Sequence, residues 1–238
     1  MNTSIEFINH ACVIIKSDKI TLLSDPWFEG DAFHKGWSLL YETNELEVEK
    51  IINKITHIWI SHEHPDHFSI LFFKKFKLKI INQSIKILFQ ETKDKRVINF
   101  LKNQGFDCEE LKLNKKIYLN KTFSLTCIKD GFYDSGLLVI SNNEKILNLN
   151  DCEINSQSRI NEVNSITGNV DVLLTQFSFA AWKGGKDNKK WRTEAAKEKI
   201  ETMKKQIEGF KPKFVIPFAS FIYFSNIENN YLNDSINK

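Results

Sequence analysis

Residues 57 to 67 read His57-Ile58-Trp59-Ile60-Ser61-His62-Glu63-His64-Pro65-Asp66-His67. Three histidines and an aspartate fall within six positions, His62 to His67, directly after an apolar, β-prone run. Neutral imidazoles and carboxylates are the ligands that zinc, iron and manganese accept. His62 and His64 lie two apart, so an extended backbone points them to the same side. Asp66 and His67 follow on the turn, where the backbone can aim them at a second ion. The bland alternative is a surface loop that happens to be rich in histidine; the spacing and the preceding strand both match a working site instead.

Further chemistry is scattered along the chain. Asp151 closes the apolar run Ile146-Leu147-Asn148-Leu149-Asn150, where a carboxylate is expensive to bury without a partner; its plain reading is a turn residue. Asp25 either orients a ligand imidazole, as carboxylates behind metal ligands do, or caps its Asp-Pro turn. His10 follows the first strand-like run and either reaches the site or is a satisfied structural histidine. Trp27, Phe33, His34 and Trp37 decorate the loop after Asp25, a pocket wall if that loop lies beside the metal, and Trp37 is the candidate substrate contact. Lys183, Lys186 and Arg192 come from a second, basic stretch, Trp182-Lys183-Gly184-Gly185-Lys186 and Trp191-Arg192. It could close over an anionic substrate with backbone amides and cations, although it lacks the helix-linked spacing of a P-loop.

The elements that must position these residues follow from periodicity. Strands are expected at Ile5–Ile8, Cys12–Ile15, Ile20–Ser24, Ile58–Ser61 and Ile85–Phe89, then at Phe123–Ile128, Leu137–Ile140, Lys145–Leu149, Val170–Thr175 and Phe214–Pro217, the last as a buried strand. Asn142-Asn143 makes a hairpin turn. Helices are expected at Glu45–Lys54, Ser69–Phe76, Thr92–Gln104 stopped by Gly105, and Thr193–Glu208 stopped by Gly209. With 42% hydrophobic and 12% aromatic residues in 238, the chain can bury a sizeable core. The absence of any short-period repeat or low-complexity linker reads as one domain over residues 1–238. A net charge of +3, spread along the chain, argues against nucleic acid. No apolar stretch is long enough to span a bilayer. Asn2-Thr3-Ser4-Ile5-Glu6 lacks the basic and apolar regions of a signal peptide. Four cysteines without a Cys-x-x-Cys pair suit a reducing cytoplasm.

The strand followed by His62-x-His64-x-Asp66-His67 resembles the signature of the metallo-β-lactamase fold superfamily. Asn9-His10-Ala11, Leu22 to Trp27 and Ile146 to Cys152 fall in its order. Within it, Asp25-Pro26-Trp27, Ala32-Phe33 with Gly36-Trp37, Asp130-Gly131, Asp151-Cys152 and Pro217-Phe218-Ala219 are similar to the metallo-β-lactamase-like domain of CMP-N-acetylneuraminate hydroxylases and their bacterial relatives. The resemblance implies an α/β fold, an αββα sandwich of two mixed sheets flanked by helices. It implies His62 and His64 on one metal, Asp66 and His67 on a second, and Asp151 bridging both, with Asp66 or Asp151 orienting a catalytic water. The superfamily places two further histidines later in the chain, yet all six here lie at or before His67. Asp130 is the preferred oxygen substitute for the first, with Asp134 as the alternative; the second position falls in Pro217 to Ser220, which offers only a hydroxyl. More carboxylate and less imidazole moves preference from zinc towards iron or manganese.

Three functions are open at this level. The leading expectation is a metal-dependent hydrolase with one or two transition-metal ions (zinc, iron or manganese) acting on an anionic small molecule. The rival is an iron-dependent hydroxylase like the nucleotide-sugar enzymes. Those carry an iron–sulfur domain, for which no suitably spaced Cys/His pairs exist here, so a separate electron-donor protein is required. The third is an inactive binding module, kept open by the two missing histidines.

Overall fold

The computed structural model describes residues 3–237; Met1, Asn2 (where the leader reading starts) and Lys238 lie outside them. The chain opens with three strands, β1 (Ser4–Asn9), β2 (Cys12–Ser17) and β3 (Ile20–Ser24), and two short ones, β4 (Asp31–Ala32) and β5 (Trp37–Leu39). Then come α1 (Glu45–Ile52), β6 (His57–Ile60), α2 (Ile70–Lys75), α3 (Lys77–Asn82), β7 (Lys86–Gln90), α4 (Arg96–Asn103) and β8 (Cys108–Leu111). The second half holds β9 (Lys116–Tyr118), β10 (Phe123–Lys129), β11 (Ser135–Ser141), β12 (Glu144–Asn148), α5 (Gln157–Thr167), β13 (Val172–Gln176), α6 (Lys189–Phe210), β14 (Phe214–Phe218) and β15 (Ile222–Tyr223).

The strands form two six-stranded mixed sheets, ordered β1-β2-β3-β6-β7-β8 and β14-β13-β12-β11-β10-β9. Side chains alternate along each strand. In β6, Ile58 and Ile60 face a core shared with Val48, Phe72, Ile80 and Leu101 of the four helices α1 to α4. Trp59 faces the other way, into an inter-sheet core with Leu22, Leu88, Leu125, Val139 and Leu174. The second sheet turns Leu138, Leu147 and Leu173 to Ile160 and Val163 of α5 and Phe210 of α6. That is the αββα layering expected from the sequence. Among the described residues no helix is long and apolar enough to cross a membrane.

Several local expectations need correcting. β14 is an edge strand with Phe214 67% exposed, so it is not buried. The strands β4, β5 and β15 make a third small sheet that their short, loop-like sequences did not announce. α5 has only two or three inward apolar residues in eleven, too few for a clear period. Gly209 does not stop α6. The helix runs on to Phe210 and is capped by Lys211 in the left-handed region, φ 49°. A Cβ on Gly209 would sit 2.2 Å from Cγ2 of Ile160, so the glycine lets α6 approach α5. Gly209→Ala is expected to cost about 1–3 kcal/mol through that overlap, read as a shifted denaturant midpoint; an unchanged midpoint would refute the close-approach reading. Asn142 and Asn143 take φ 49° and 71°, as the predicted hairpin requires.

Candidate metal centre

The loop ends of both sheets meet at one rim. β6 lies between β3 and β7, parallel to both, so residues following Ile60 emerge beside Asp25 at the end of β3. Ser61 is fixed on every side. Its N–H donates to Asp25 Oδ1 (2.7 Å) and its hydroxyl to Asp25 Oδ2 (2.8 Å); its carbonyl accepts from Gln90 (3.0 Å) and Ser135 (2.6 Å). The turn closes through His67 N–H to the His64 carbonyl (3.0 Å), which brings the four motif side chains to one face. Non-glycine residues with positive φ surround the rim: His10 (31°), Asp25 (41°), Asn150 (35°) and Ala219 (53°). Such backbone costs energy and persists where the surrounding structure dictates it.

The hydrogen bonds decide which nitrogens face inward. Ser61 gives its only proton to Asp25, so its oxygen accepts from His62 Nδ1 at 2.9 Å. His67 Nδ1 donates to Asp25 Oδ2 at 2.9 Å. Both imidazoles therefore present Nε2 to the cluster, and Asp25 orients two of them at once. His62 Nε2 lies 2.9 Å from His64 Nδ1 and 3.6 Å from Asp134 Oδ1. His67 Nε2 lies 3.4 Å from Asp151 Oδ2, and His10 Nε2 lies 3.6 Å from Asp66 Oδ2. Three sets have ligand atoms within 4.8 Å of one another: His62, His64 and Asp134; His10, Asp66 and His67; and His62, His67 and Asp151.

Two observations test whether a cation fits. First, both ring nitrogens of His10, Asp66 Oδ1, His67 Nε2 and Asp134 Oδ1 are buried without a hydrogen-bond partner. Buried polar atoms normally have one; here each of these orphans belongs to a residue of the His/Asp sets, an arrangement that fits the ligands of a cation. Second, the charges conflict. Burial pushes the Asp134 carboxyl up to about 6, and nearby Asp151 adds to the rise. Burial favours neutral His67, but Asp151, Asp25 and Asp66 outweigh it and hold its pKa well above the ordinary histidine value. Burial and the neighbouring His67 push His62 well below that value. Burial opposes the charged form of Asp151 too, but His67 overrides it and lowers its pKa. The pocket is short of positive charge, and divalent cations would relieve it.

Placement of the sequence candidates is now plain. His62, His64, Asp66, His67 and Asp151 come together, joined by His10 and Asp134. Asp130 does not come with them. Its carboxylate pairs with Arg159 Nε at 3.2 Å and accepts the Glu153 N–H at 2.7 Å, on the α5 side of the loop. The backbone N–H of Asp130 donates to the Asp134 carbonyl at 2.9 Å, and the turn between them carries the second aspartate to His62. His10 was the harder residue to assign. Its carbonyl accepts the Ala219 N–H at 2.7 Å, so the segment that offers no histidine of its own holds one supplied by the first hairpin. Asp134→Ala is expected to remove at least tenfold in affinity for one ion, whereas Asp130→Ala leaves stoichiometry intact and lowers stability by taking the acceptor from the Glu153 N–H and one of the two carboxylates that Arg159 pairs with. Metal titration of both variants checks this, and equal effects would refute the assignment.

A cavity of about 440 Å³ opens over the cluster, lined in part by Phe33, Trp37, Phe179, Trp182, Lys183 and Lys199. Trp37 donates its indole N–H to Asp66 Oδ2 at 3.1 Å, so it positions a carboxylate as well as walling the pocket. The basic loop is less open than its sequence implied. Arg192 is 3% exposed, donates to the Gly185 and Lys186 carbonyls and lies over the Tyr231 ring at 5.0 Å. It pins the loop and does not face the cavity. Lys186 is exposed and outside the lining; Lys183 is in it. Lys199 and Gln176 also face the cavity. Their only sequence signal was an inward position on a long helix and the end of a strand, which many core-adjacent polar residues share.

A family model described as a β-lactamase superfamily domain matches residues 4–127. The cytidine monophosphate-N-acetylneuraminic acid hydroxylase of Mus musculus is 26% identical over 250 residues, covering 98% of this chain and 42% of that protein. The chain thus spans about four-tenths of the length of that relative. Among solved structures, CmlA, a diiron β-hydroxylase from Streptomyces venezuelae, superposes with a TM-score of 0.63 at 16% identity, over 92% of this chain and 45% of its own. Igni18, a metallo hydrolase from Ignicoccus hospitalis, gives 0.62 at 12% identity, over 94% and 84%. At such identities the structures share the fold. The family match covers more than half of the sequence, and the chain belongs to the β-lactamase superfamily, with its metallo-β-lactamase fold.

Proposed function

We propose that this chain is an iron-dependent oxygenase of the hydroxylase kind, acting on an anionic small molecule with electrons from a separate donor protein. The observation that carries the reading is the donor set. His62, His64 and Asp134 form one two-histidine, one-carboxylate group, and His10, His67 and Asp66 form another. Two-histidine, one-carboxylate sets with open positions are the ligands by which non-haem iron activates dioxygen. Bound iron would supply dioxygen activation, with C–H hydroxylation consuming one dioxygen, two electrons and two protons. The chain's own part is to hold ligands and substrate. Asp25 fixes the tautomers of His62 and His67, Trp37 and Gln176 hold Asp66 and Asp151, and Phe33, Trp37 and Phe179 give the substrate an aromatic wall. Asp151, close to both His62 and His67, is the proposed bridge. The relative named for cytidine monophosphate-N-acetylneuraminic acid supports a sugar nucleotide or a similarly charged small molecule as substrate.

Hydrolysis is the second reading, favoured by one observation. Asp66 keeps Oδ1 buried and unpartnered beside the cluster, a position from which a carboxylate can orient an attacking water. Protein purified anaerobically is expected to contain iron and, once reduced, to consume dioxygen only when CMP-N-acetylneuraminate or a related sugar nucleotide is present. Zinc content together with oxygen-independent turnover of a phosphodiester would overturn the oxygenase reading in favour of the hydrolase. Neither metal nor turnover would leave the inactive binding module.

A further inference from the structure

We propose that Lys199 forms the anion-binding end of the cavity and sets the spacing between the charged group of the substrate and the reacting centre. The inference rests on the proposed metal site only for what that centre is. The cavity over the cluster continues past Lys199 into a smaller chamber of about 90 Å³, and both share Glu153, Gln176, Phe179, Lys183 and Lys199 as lining. The larger space accepts the body of a small molecule against Trp37, Phe179 and Trp182. The smaller one has room for a group of a few heavy atoms, such as a phosphate or carboxylate.

Lys199 is held in place by chemistry that allows one arrangement. Its ammonium only donates and Asp151 only accepts, so Gln176 between them must turn Oε1 to the lysine and Nε2 to the aspartate. Lys199 Nζ bonds Gln176 Oε1, and Gln176 Nε2 reaches Asp151 Oδ1 at 3.1 Å and the Ala219 carbonyl at 3.3 Å. One ammonium proton is used. Glu153, 73% exposed, makes only a long ion pair with it at 4.0 Å that uses no ammonium hydrogen bond, and Glu198 on the chamber wall is also exposed. Lys199 therefore has spare donors in a partly buried position, where an anion forms charge-assisted bonds. Lys183 lines the same junction and adds a second cation. Two hydrogen bonds and one amide separate the ammonium from Asp151, a path of at most about 8 Å, so an anion on Lys199 is held away from the cluster and does not bind on it. The substrate class is a small molecule whose phosphate or carboxylate is separated from the atom to be modified by the body that fills the larger space.

The test uses phenyl phosphate and phenylacetate as probes, with phenol as the uncharged reference, titrated calorimetrically into metal-loaded protein and again after chelation. Wild-type protein should prefer either anion to phenol before and after chelation; which of the two binds tighter distinguishes phosphate from carboxylate. Lys199→Met should weaken the anions at least tenfold, Lys199→Arg should restore most of the loss, and Lys186→Met should change nothing. Equal anion binding by wild type and Lys199→Met, or anion binding that chelation abolishes, overturns the proposal, because the metals or another cation would then hold the anion. Elemental analysis of the same samples reads the metal assignment separately. Protein that lacks metal but keeps the Lys199-dependent preference fails the metal reading alone.

Discussion

Replacing His62 and His64 together by Ala is expected to cut transition-metal content to at most one ion per chain, with the remaining ion bound about 10–100-fold more weakly. The two ring nitrogens stand 2.9 Å apart, a hydrogen-bond contact in which His64 Nδ1 donates to the inward Nε2 of His62, so the pair already sits on one side of the pocket. Removing both leaves Asp134 as the sole member of its set. The second set keeps His10, Asp66 and His67, but Asp151 loses His62 from its own group and must serve a lone cation. Losses of this size follow when residues that orient or share a ligand are removed, and removal of ligands themselves exceeds them. Metal titration under anaerobic conditions reads the result. A double variant that binds two ions with wild-type affinity would end the assignment.

Asp25→Ala should have the second largest effect, on stability and metal together. One buried carboxylate accepts from the Ser61 N–H, the Ser61 hydroxyl and His67 Nδ1. Truncation leaves three donors in a dry site, each costing about 1–3 kcal/mol where no water enters. We expect a loss of about 3–5 kcal/mol and, in the folded fraction, metal affinity lower by about 10–100-fold, because His62 and His67 lose their fixed tautomers. Asp25→Asn separates the two consequences: its oxygen still accepts, while its amide group faces donors and the charge is gone. It should keep more of the stability than Asp25→Ala while losing metal affinity to a similar degree. A metal affinity within twofold of wild type in both variants would show that Asp25 serves the fold alone.

The sequence carried the site unevenly, for physical reasons. His62 to His67 were legible because one short segment supplies four ligands after an apolar strand, and sequence proximity there is spatial proximity. Asp151 was legible as a charge at the end of a buried run. His10 was visible as a residue but undecided, since nothing local distinguishes a ligand from a packed imidazole; contacts from far along the chain hold it beside Asp66, among them the Ala219 bond from 209 positions away and the His67 ring. Asp130 and Asp134 flank one turn, and the choice between them depends on Arg159 of α5, a helix with too weak a period to be expected. Arg192 looked like a substrate ligand because its neighbours are basic, yet its guanidinium fits the loop's own carbonyls. The strands and their layering were readable because burial imposes a period of two along a chain; the three-strand side sheet was not, since segments of two or three residues have no period to show.

The bond between His10 and Ala219 also orders events in time. Residue 10 leaves the ribosome early, but its carbonyl has no partner until the strand before Ala219 exists. The His62 to His67 loop and Asp134 are made well before that point, so one ligand set can gather while the other waits for the last strand of the second sheet. A chain arrested during synthesis would thus hold half a centre. Ion loading should then proceed in two stages during refolding, a fast one at His62, His64 and Asp134 and a slow one limited by long-range closure, because contacts distant in sequence form late.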